Sequence, residues 1–477
     1  MRPANLVIIM SDEHHPKAFG AAGHPFAVTP NLDRMAAHGT RFDAAVCNSP
    51  ICVPSRASFA TGRYVHELRL WDNAMAYDGA VRGWGHALQE AGHRVDSIGK
   101  LHYRDAEDPT GFDQQYHPMH IYGGHGMVWG ALRHDEFDFS DRAHAMLNPV
   151  GVGTSKYNAY DDRIATEAER WLADAAATPA ERPWVLYLGF VAPHFPLTVP
   201  QQFLDPYPPE RMPAPRLHPR DGHPRHPWLQ RSHERHPVDD GFDDAGRRLA
   251  IACYFGLCSW VDHQVGRVLN ALDRTGLTAN TRVIYTSDHG DNIGARGMWG
   301  KSTLYEDAVG VPMLLAGPDI AAGKVCHTPV SLLDLAPTIT DAVGLAPHAP
   351  DLPGESLFEI AARPDDPDRT VFSEYHAFGS PSAGFMVRDG RYKLNHYVGF
   401  SPELFDLLED PGETTNRADD PKLAPARTRL QAKLHAIIDP ASVDAQAKAD
   451  QAALIARYGG PERAKDTGAP GATPAPA

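Results

Sequence analysis

Cysteine is scarce in this sequence. Five in 477 residues, an odd number without dense spacing, cannot make a disulfide framework. A reducing compartment is the expectation that follows. Long apolar runs are missing too, since no stretch approaches the ~20 residues that cross a bilayer. The first apolar run, Leu6 to Met10, passes straight into Ser11-Asp12-Glu13 and is too short for a secretory signal core. The cytoplasm is therefore the expected location. Positive charge is in deficit: 45 Lys and Arg against 60 Asp and Glu give a formal charge of −15. Phosphate backbones are bound by displacing counterions with Lys and Arg, and anionic membrane surfaces draw on the same residues. Neither a nucleic acid nor a membrane is expected as a partner.

What is present is an ordinary globular balance, with 42% hydrophobic and 22% charged residues, which excludes disorder as the dominant state. Short apolar runs alternate with helical stretches, the pattern of an α/β protein with a largely parallel sheet. Strands are expected at Asn5–Met10, Arg94–Ile98, Trp184–Phe190, Arg282–Thr286 and Pro312–Ala316. Helices are expected at Pro30–Ala37, closed by Gly39, and over Asp243–Leu272. Between 207 and 240 the periodicity gives way to a Pro/His/Arg-rich stretch, read as a surface loop. Its histidines lack the compact spacing of a metal site. The expected architecture is one large mixed, mostly parallel sheet sandwiched by helices, in a catalytic domain over 1–360. A smaller α+β domain over 363–440 and a tail over 441–477, helical and then disordered, complete it.

In open parallel sheets, ligands bind beyond the carboxyl ends of the strands. Here those ends carry Asp12, Lys100, His194 and Asp288-His289. The sharpest local signal is Cys52-Val53-Pro54-Ser55-Arg56, followed by Ala57-Ser58-Phe59-Ala60-Thr61-Gly62. A cysteine at a helix start, near Arg56, is expected to have its thiol pKa lowered. Taken alone it fits a buried structural thiol better than a nucleophile, and only its five-residue context reverses that reading. Asp12, Asp288 and His289 are far apart in sequence but lie at neighbouring strand ends, as one metal site requires. Carboxylates suit Ca²⁺, Mg²⁺ or Mn²⁺, and an imidazole moves the balance toward Mn²⁺ or another transition ion.

The Cys-x-Pro-Ser-Arg run with its following Thr-Gly resembles the signature of the type I sulfatases, in the alkaline phosphatase superfamily. The resemblance extends along nearly the whole chain. It takes in Asn5–Asp12, Thr29–Asp33, Gly99-Lys100-Leu101-His102, Ala192-Pro193-His194-x-Pro196, Ser287–Asp291, Trp299-Gly300-Lys301 and the Leu404–Leu407 strand with Asp410, Glu413 and Asn416. The branches it comes nearest to are the choline-sulfatase-like and phosphonate-monoester-hydrolase-like ones. There, His occupies the position of His289, where many sulfatases carry Asn.

The resemblance implies hydrolysis of sulfate monoesters through a covalent sulfoenzyme intermediate. It implies that Cys52 is oxidised to formylglycine by a formylglycine-generating enzyme, and that one divalent metal, Ca²⁺ or Mn²⁺, is held by Asp12, Glu13, residue 52, Asp288 and His289. Arg56 would anchor the nucleophile, and Lys100 and Lys301 would hold the sulfuryl oxygens. His102 would break down the covalent intermediate, and His194, with Lys301, would protonate the leaving alcohol. Asn73, Tyr103 and Glu374 are the expected substrate contacts, with choline sulfate one candidate among small anionic esters. The rivals are a phosphonate monoester or phosphodiester hydrolase on the same site, and a catalytically silent metal-binding homologue in which Cys52 stays a thiol. A homo-oligomer is expected.

Overall fold

The computed structural model describes residues 2–133, 139–469 and 471–476; within the expected tail, Pro470 and Ala477 lie outside the described residues. Its centre is set by the first strand, β1 (Asn5–Asp12). Leu6, Ile8 and Met10 join one apolar cluster while Val7 and Ile9 join another, and all five are fully buried. A strand that is apolar on both faces must be covered on both. Each such side chain contributes about 1.5–3 kcal/mol by leaving water.

The remaining strands of this sheet are β2 (Gly39–Phe42), β3 (Val95–Lys100), β4 (Gln114–Met119), β5 (Val185–Pro193), β6 (Thr281–Ser287), β7 (Met313–Ala316) and β8 (Lys324–Cys326). Their order is β8-β2-β7-β6-β1-β5-β3-β4. All neighbours run parallel except β7, which is antiparallel to β2 and β6. On one face, Ile164 and Leu172 of the helix Lys156–Ala177 and Val261, Val265 and Val268 of the helix Asp244–Thr275 pack on Val7, Ile9 and Leu188. On the other, Ala57 and Phe59 of the helix Cys52–Thr61 and Leu335 and Ile339 of the helix Leu335–Ala342 pack on Ile8, Met10 and Tyr187. The register sets Asp12 against Pro193 and Ser11 against Ser287. Parallel pairing thus delivers the carboxyl ends of β1, β3, β5 and β6 to one edge.

A second, antiparallel sheet follows as a meander: β9 (Val371–Tyr375), β10 (Gly384–Arg388), β11 (Tyr392–Tyr397) and β12 (Glu403–Asp406). Leu430 and Leu434 of the helix Ala424–Ile437 cover its Phe385, Val387 and Leu394. The helix Pro440–Arg457 then turns back toward the first sheet's loops. There Asp450 accepts from Trp71 Nε1 at 2.8 Å, and Gln451 Nε2 donates to Asp72 at 2.8 Å. No helix among the described residues is long and apolar enough to cross a membrane.

Two regions differ from the expectation. Within 207–240, Pro227–Arg235 forms a helix. Pro227 occupies its first position, the His226 ring accepts from Trp228 N at 3.2 Å, and Trp228 and Leu229 are buried. One buried Trp-Leu pair anchors what the Pro/His composition made look like a plain loop. After Gly459, where composition predicts no fixed structure, Ala464, Ala469 and Thr473 are buried. That segment is held through its backbone carbonyls, which composition does not report.

Candidate active site at the strand tips

Arg56 is the pivot of the site floor. It lies one helical turn after Cys52, hence on the same helix face, and its guanidinium is 1% exposed. Its Nε donates to Asp288 Oδ2 at 2.8 Å and one terminal nitrogen to Asp12 Oδ2 at 3.2 Å. The other terminal nitrogen donates to the Lys100 carbonyl and the Tyr187 hydroxyl, both at 2.9 Å. Lys100 Nζ sits 2.5 Å from Asp12 Oδ2. Burial alone would push Asp12 up, but the cations Lys100, Lys301 and Arg56 hold its carboxyl well below the usual range.

Around Cys52 the remaining predicted groups converge. Its Sγ lies 3.2 Å from His289 Nε2 and 3.2 Å from Lys301 Nζ, and 3.7 Å from Asp12 Oδ1. Lys301 also donates to Glu13 Oε2 at 3.2 Å, and His194 Nε2 lies 3.3 Å from the same oxygen. Burial would lower the Lys301 ammonium, but Cys52, Glu13 and Asp12 more than offset it and raise its pKa well above the ordinary value. His194 and His102 both sit well below the ordinary imidazole value. Burial is the largest cause, reinforced by Lys301 for His194 and by Lys100 and Arg56 for His102. Both rings are neutral at pH 7, as a proton acceptor must be.

Two of the histidines have their tautomer fixed by the backbone. His289 Nδ1 lies 2.9 Å from the Gly290 carbonyl and His194 Nδ1 2.6 Å from the Phe195 carbonyl. A carbonyl only accepts, so Nδ1 carries the hydrogen in both, and Nε2 is left as a lone-pair nitrogen facing the site. His289 is in this way prepared as a metal ligand. Asp12, Cys52, Asp288 and His289 offer ligand atoms within 4.8 Å of one another, and Asp12, Glu13 and His194 form a second such group. Glu13 Oε1 is buried with no hydrogen-bond partner among the described residues, an oxygen that a cation would satisfy. The donor set fits one hard or borderline divalent ion. Glu13 is brought there by a left-handed backbone, φ 71°, as is His102, φ 59°; such conformations cluster at working sites.

One expectation is overturned. The Cys52 thiol is not acidified: burial and the Asp12 carboxylate push it up to about 11, only partly opposed by Lys301 and Lys100. The helix start is where the sequence predicts it, at Cys52. However, the charge of Arg56 is spent on two carboxylates rather than on sulfur. A nucleophile at this position therefore does not draw on thiolate character.

Above the floor lies a cavity of about 490 Å³, lined by Cys52, Asn73, Lys100, His102, His194 and Lys301. Asn73 Oδ1 accepts from Val53 N at 3.1 Å, so its amide hydrogens are what it can present. The other two expected substrate contacts are elsewhere. Tyr103 is 1% exposed, packs edge-on to Tyr77 at 5.0 Å, and lines no part of the cavity. Glu374 is fully buried between His66 and His376, at 2.8 Å from each. Both belong to the core that backs the site. The walls instead come from Asp72, in the Asp72-Asn73-Ala74 element, and from residues the sequence did not single out: Met127, Trp129, Tyr157, Phe378 and Thr473. Of these, only Asp72 adjoined an expected site residue. The five cysteines are free and buried.

Comparison with known proteins gives the same outline. A family model described as Sulfatase matches residues 4–345, and one described as N-sulphoglucosamine sulphohydrolase, C-terminal, matches residues 294–439. A choline-sulfatase from Rhizobium meliloti (strain 1021) is 31% identical over 435 residues, covering 88% of this chain and 83% of its own length. Arylsulfatase K from Canis lupus familiaris is 28% identical over 483 residues, 92% of this chain and 83% of that one. Among solved structures, a phosphonate monoester hydrolase from Silicibacter pomeroyi superposes with a TM-score of 0.71 at 26% identity. That match covers 90% of this chain and 94% of that one.

Proposed function

The chain belongs to the sulfatase family, and from that premise we propose that it hydrolyses small sulfate monoesters with residue 52, oxidised from cysteine to formylglycine, as nucleophile. Membership makes it a sulfuric ester hydrolase; the nucleophile, the metal and the residue roles are our reading. The observation that carries it is the meeting of Cys52 Sγ with Lys301 Nζ and His289 Nε2, each at 3.2 Å, over the Arg56-bridged carboxylates. In this chain Sγ stands where a hydroxyl of the hydrated aldehyde would be.

Asp12, Glu13, Asp288 and His289 would hold the one divalent ion, Ca²⁺ or Mn²⁺. When bound, that ion lowers the pKa of an adjacent hydroxyl and neutralises non-bridging oxygens of the ester. Arg56 fixes two of those carboxylates and helps keep Asp12 ionised. Lys100 and Lys301 hold the sulfuryl oxygens electrostatically in a low-dielectric pocket. Lys301, kept protonated, supplies a proton that His194, neutral at rest with the Nε2 lone pair facing the site, accepts and passes to the departing alkoxide. His102 then takes the proton of the remaining hydroxyl on residue 52, so that sulfate is expelled and the aldehyde is restored. Asn73 contributes an amide donor at the cavity edge.

The walls suit an ester with a compact, largely apolar alcohol part. Asp72 and Trp129, which both line the cavity, rather than Glu374, supply the acidic and aromatic groups that a cationic headgroup such as choline would use. The likeness to the Silicibacter enzyme keeps phosphonate monoester or phosphodiester hydrolysis as the second reading, since sulfuryl and phosphoryl groups share size and tetrahedral geometry. A formylglycine-generating enzyme is the maturation partner this reading requires, and a cytoplasmic homo-oligomer is the expected form. The test has two parts. Mass spectrometry of the peptide carrying residue 52 is expected to show the aldehyde; an unmodified thiol in catalytically active protein would overturn the mechanism. The kcat/KM values for 4-nitrophenyl sulfate, choline sulfate and phenyl phenylphosphonate are expected to favour a sulfate ester, and a larger phosphonate value would replace the first reading with the second.

A further inference from the structure

Gly471, Ala472 and Thr473, close to the end of the sequence, lie in the active-site cavity. Thr473 is 6% exposed, and its hydroxyl lies 2.8 Å from His102 Nε2. Gly471, Ala472 and Thr473 line the same cavity as Cys52, Lys100 and His194. The segment reaches this position because its backbone is gripped. Trp129 Nε1 donates to the Ala469 carbonyl at 2.6 Å and Arg142 to the Lys465 carbonyl at 2.6 Å. The Tyr157 hydroxyl donates to the Thr473 carbonyl, and Arg163 to the Pro476 carbonyl at 2.5 Å. Gly468 forms an antiparallel bridge with Met127 at φ +105°, where a Cβ would lie 1.9 Å from the Gly126 carbonyl oxygen. Only glycine fits there. Trp129, Arg142 and Tyr157 also line the cavity, so three of the four residues that grip the segment face the space where the ester would bind.

A loose strand lying across a pocket would not be held by four donors of separate origin. All four of these bonds go to backbone carbonyls and so do not depend on the segment's side chains, whereas at Thr473 the side chain itself meets a site residue. The His102 ring then has one nitrogen tied and one uncommitted. Nε2 is hydrogen-bonded to Thr473, while Nδ1 is buried and without a partner among the described residues. The bond made by one ring nitrogen sets the orientation and proton location of the other, and a base oriented by a third group is the recurring arrangement around an activated nucleophile.

We propose that residues 465–469 and 471–476 are part of the active site, closing one wall of the substrate cavity, and that Thr473 is a positioning residue that orients His102 for proton transfer. This rests on the sulfatase reading above. It narrows the substrate class to monoesters whose alcohol part fits inside the closed cavity. Larger sulfated saccharides meet the wall.

The test uses the full-length metal-loaded enzyme, the variants Thr473→Val and Thr473→Ser, and a chain ended after Thr467, all assayed with 4-nitrophenyl sulfate and a 6-O-sulfated disaccharide. Thr473→Val keeps the shape and loses the hydroxyl. It is expected to lower kcat about tenfold with KM within twofold, and Thr473→Ser to restore kcat. The shortened chain is expected to lose at least tenfold in kcat/KM on 4-nitrophenyl sulfate while its selectivity shifts toward the disaccharide. Wild-type kcat in Thr473→Val overturns the positioning role even if the shortened chain fails to fold. A shortened chain with higher kcat/KM on both esters overturns the wall, since the segment would then be an obstruction. If the wild-type enzyme turns over neither ester, the reading of function fails; if it turns over and the variants match it, only this inference fails.

Discussion

The floor and the walls of this site are built by different rules. The floor is charged, contiguous with the sheet and dictated by strand register. Asp12, Lys100, Asp288 and His289 sit at the ends of paired parallel strands or just past them, and Arg56 locks two of the carboxylates with bonds of 2.8 and 3.2 Å. The walls are mostly apolar and assembled from segments with no shared element: Met127 and Trp129, Phe378 after β9, and the segment around Thr473. The difference teaches where chemistry and selectivity are stored. Changes to the floor should remove turnover of every ester alike, whereas changes to the walls should redistribute it among esters.

The largest effect belongs to the centre of the floor. Cys52→Ala is expected to lower kcat on the order of 10⁵-fold for every ester, as loss of a nucleophile does, with the far-UV circular dichroism and Tm unchanged. Retained turnover would rule out a covalent mechanism. Next comes the ion. Dialysis against EDTA is expected to cut activity about 10³-fold, the equivalent of the several kcal/mol that metal ions contribute to charge stabilisation. Tm should fall with it, because a ligand bound only by the folded state stabilises that state. Readdition of Ca²⁺ or Mn²⁺ should restore both, and an activity indifferent to EDTA would remove the metal from the floor.

His194 makes a sharper probe, because its role depends on the leaving group. His194→Ala is expected to cost about 10²- to 10⁴-fold on an alkyl sulfate. On 4-nitrophenyl sulfate, whose leaving group needs little protonation, the loss should be far smaller. Equal losses on the two esters would assign His194 to holding Glu13, from which it lies 3.3 Å, rather than to proton delivery.

The floor was legible in the sequence for a physical reason. Strand ends are marked by the end of an apolar run, and the groups that act together stand in short fixed patterns. Cys52 and Arg56 are one helical turn apart, and Asp288 and His289 are adjacent. The sheet was legible for the same reason: β1, β5 and β6 announce themselves as apolar runs, and their parallel pairing follows from the helices between them. The walls have no such marker. Trp129, Phe378 and Thr473 are 95 or more positions apart in sequence, and nothing in their local context distinguishes a cavity-facing aromatic from a core one. Tyr103 shows the converse. It follows His102 directly, but the left-handed turn at His102 carries the chain away from the cavity and Tyr103 into the core. The Cys52 acidity was misjudged because a sequence shows that Arg56 is near but not which carboxylates already hold it.

Glu374 gives the smallest effect on activity and the cleanest cut between core and wall. It is fully buried with His66 and His376 at its two oxygens. Burial alone would push its carboxyl up, but the two imidazoles reverse this and lower it to about 2. A carboxyl depressed from an unfolded value near 4.3 contributes stability that is present above that value and lost as the pH falls toward 2. His66 works in the opposite sense. Burial would lower it but Glu374 raises it, so its contribution is present below its unfolded value of about 6.5 and is lost as the pH rises through the folded one. The pair is therefore worth most between about pH 4.3 and 6.5. Glu374→Gln is expected to lower unfolding free energy on the order of 2 kcal/mol at pH 5.5, with a smaller loss at pH 2.5, measured by urea denaturation. Its kcat/KM for choline sulfate should stay within twofold of wild type. A tenfold loss of kcat/KM with stability unchanged would move Glu374 from the core to the wall, because a carboxylate that touches the ester must alter binding whether or not it holds the fold.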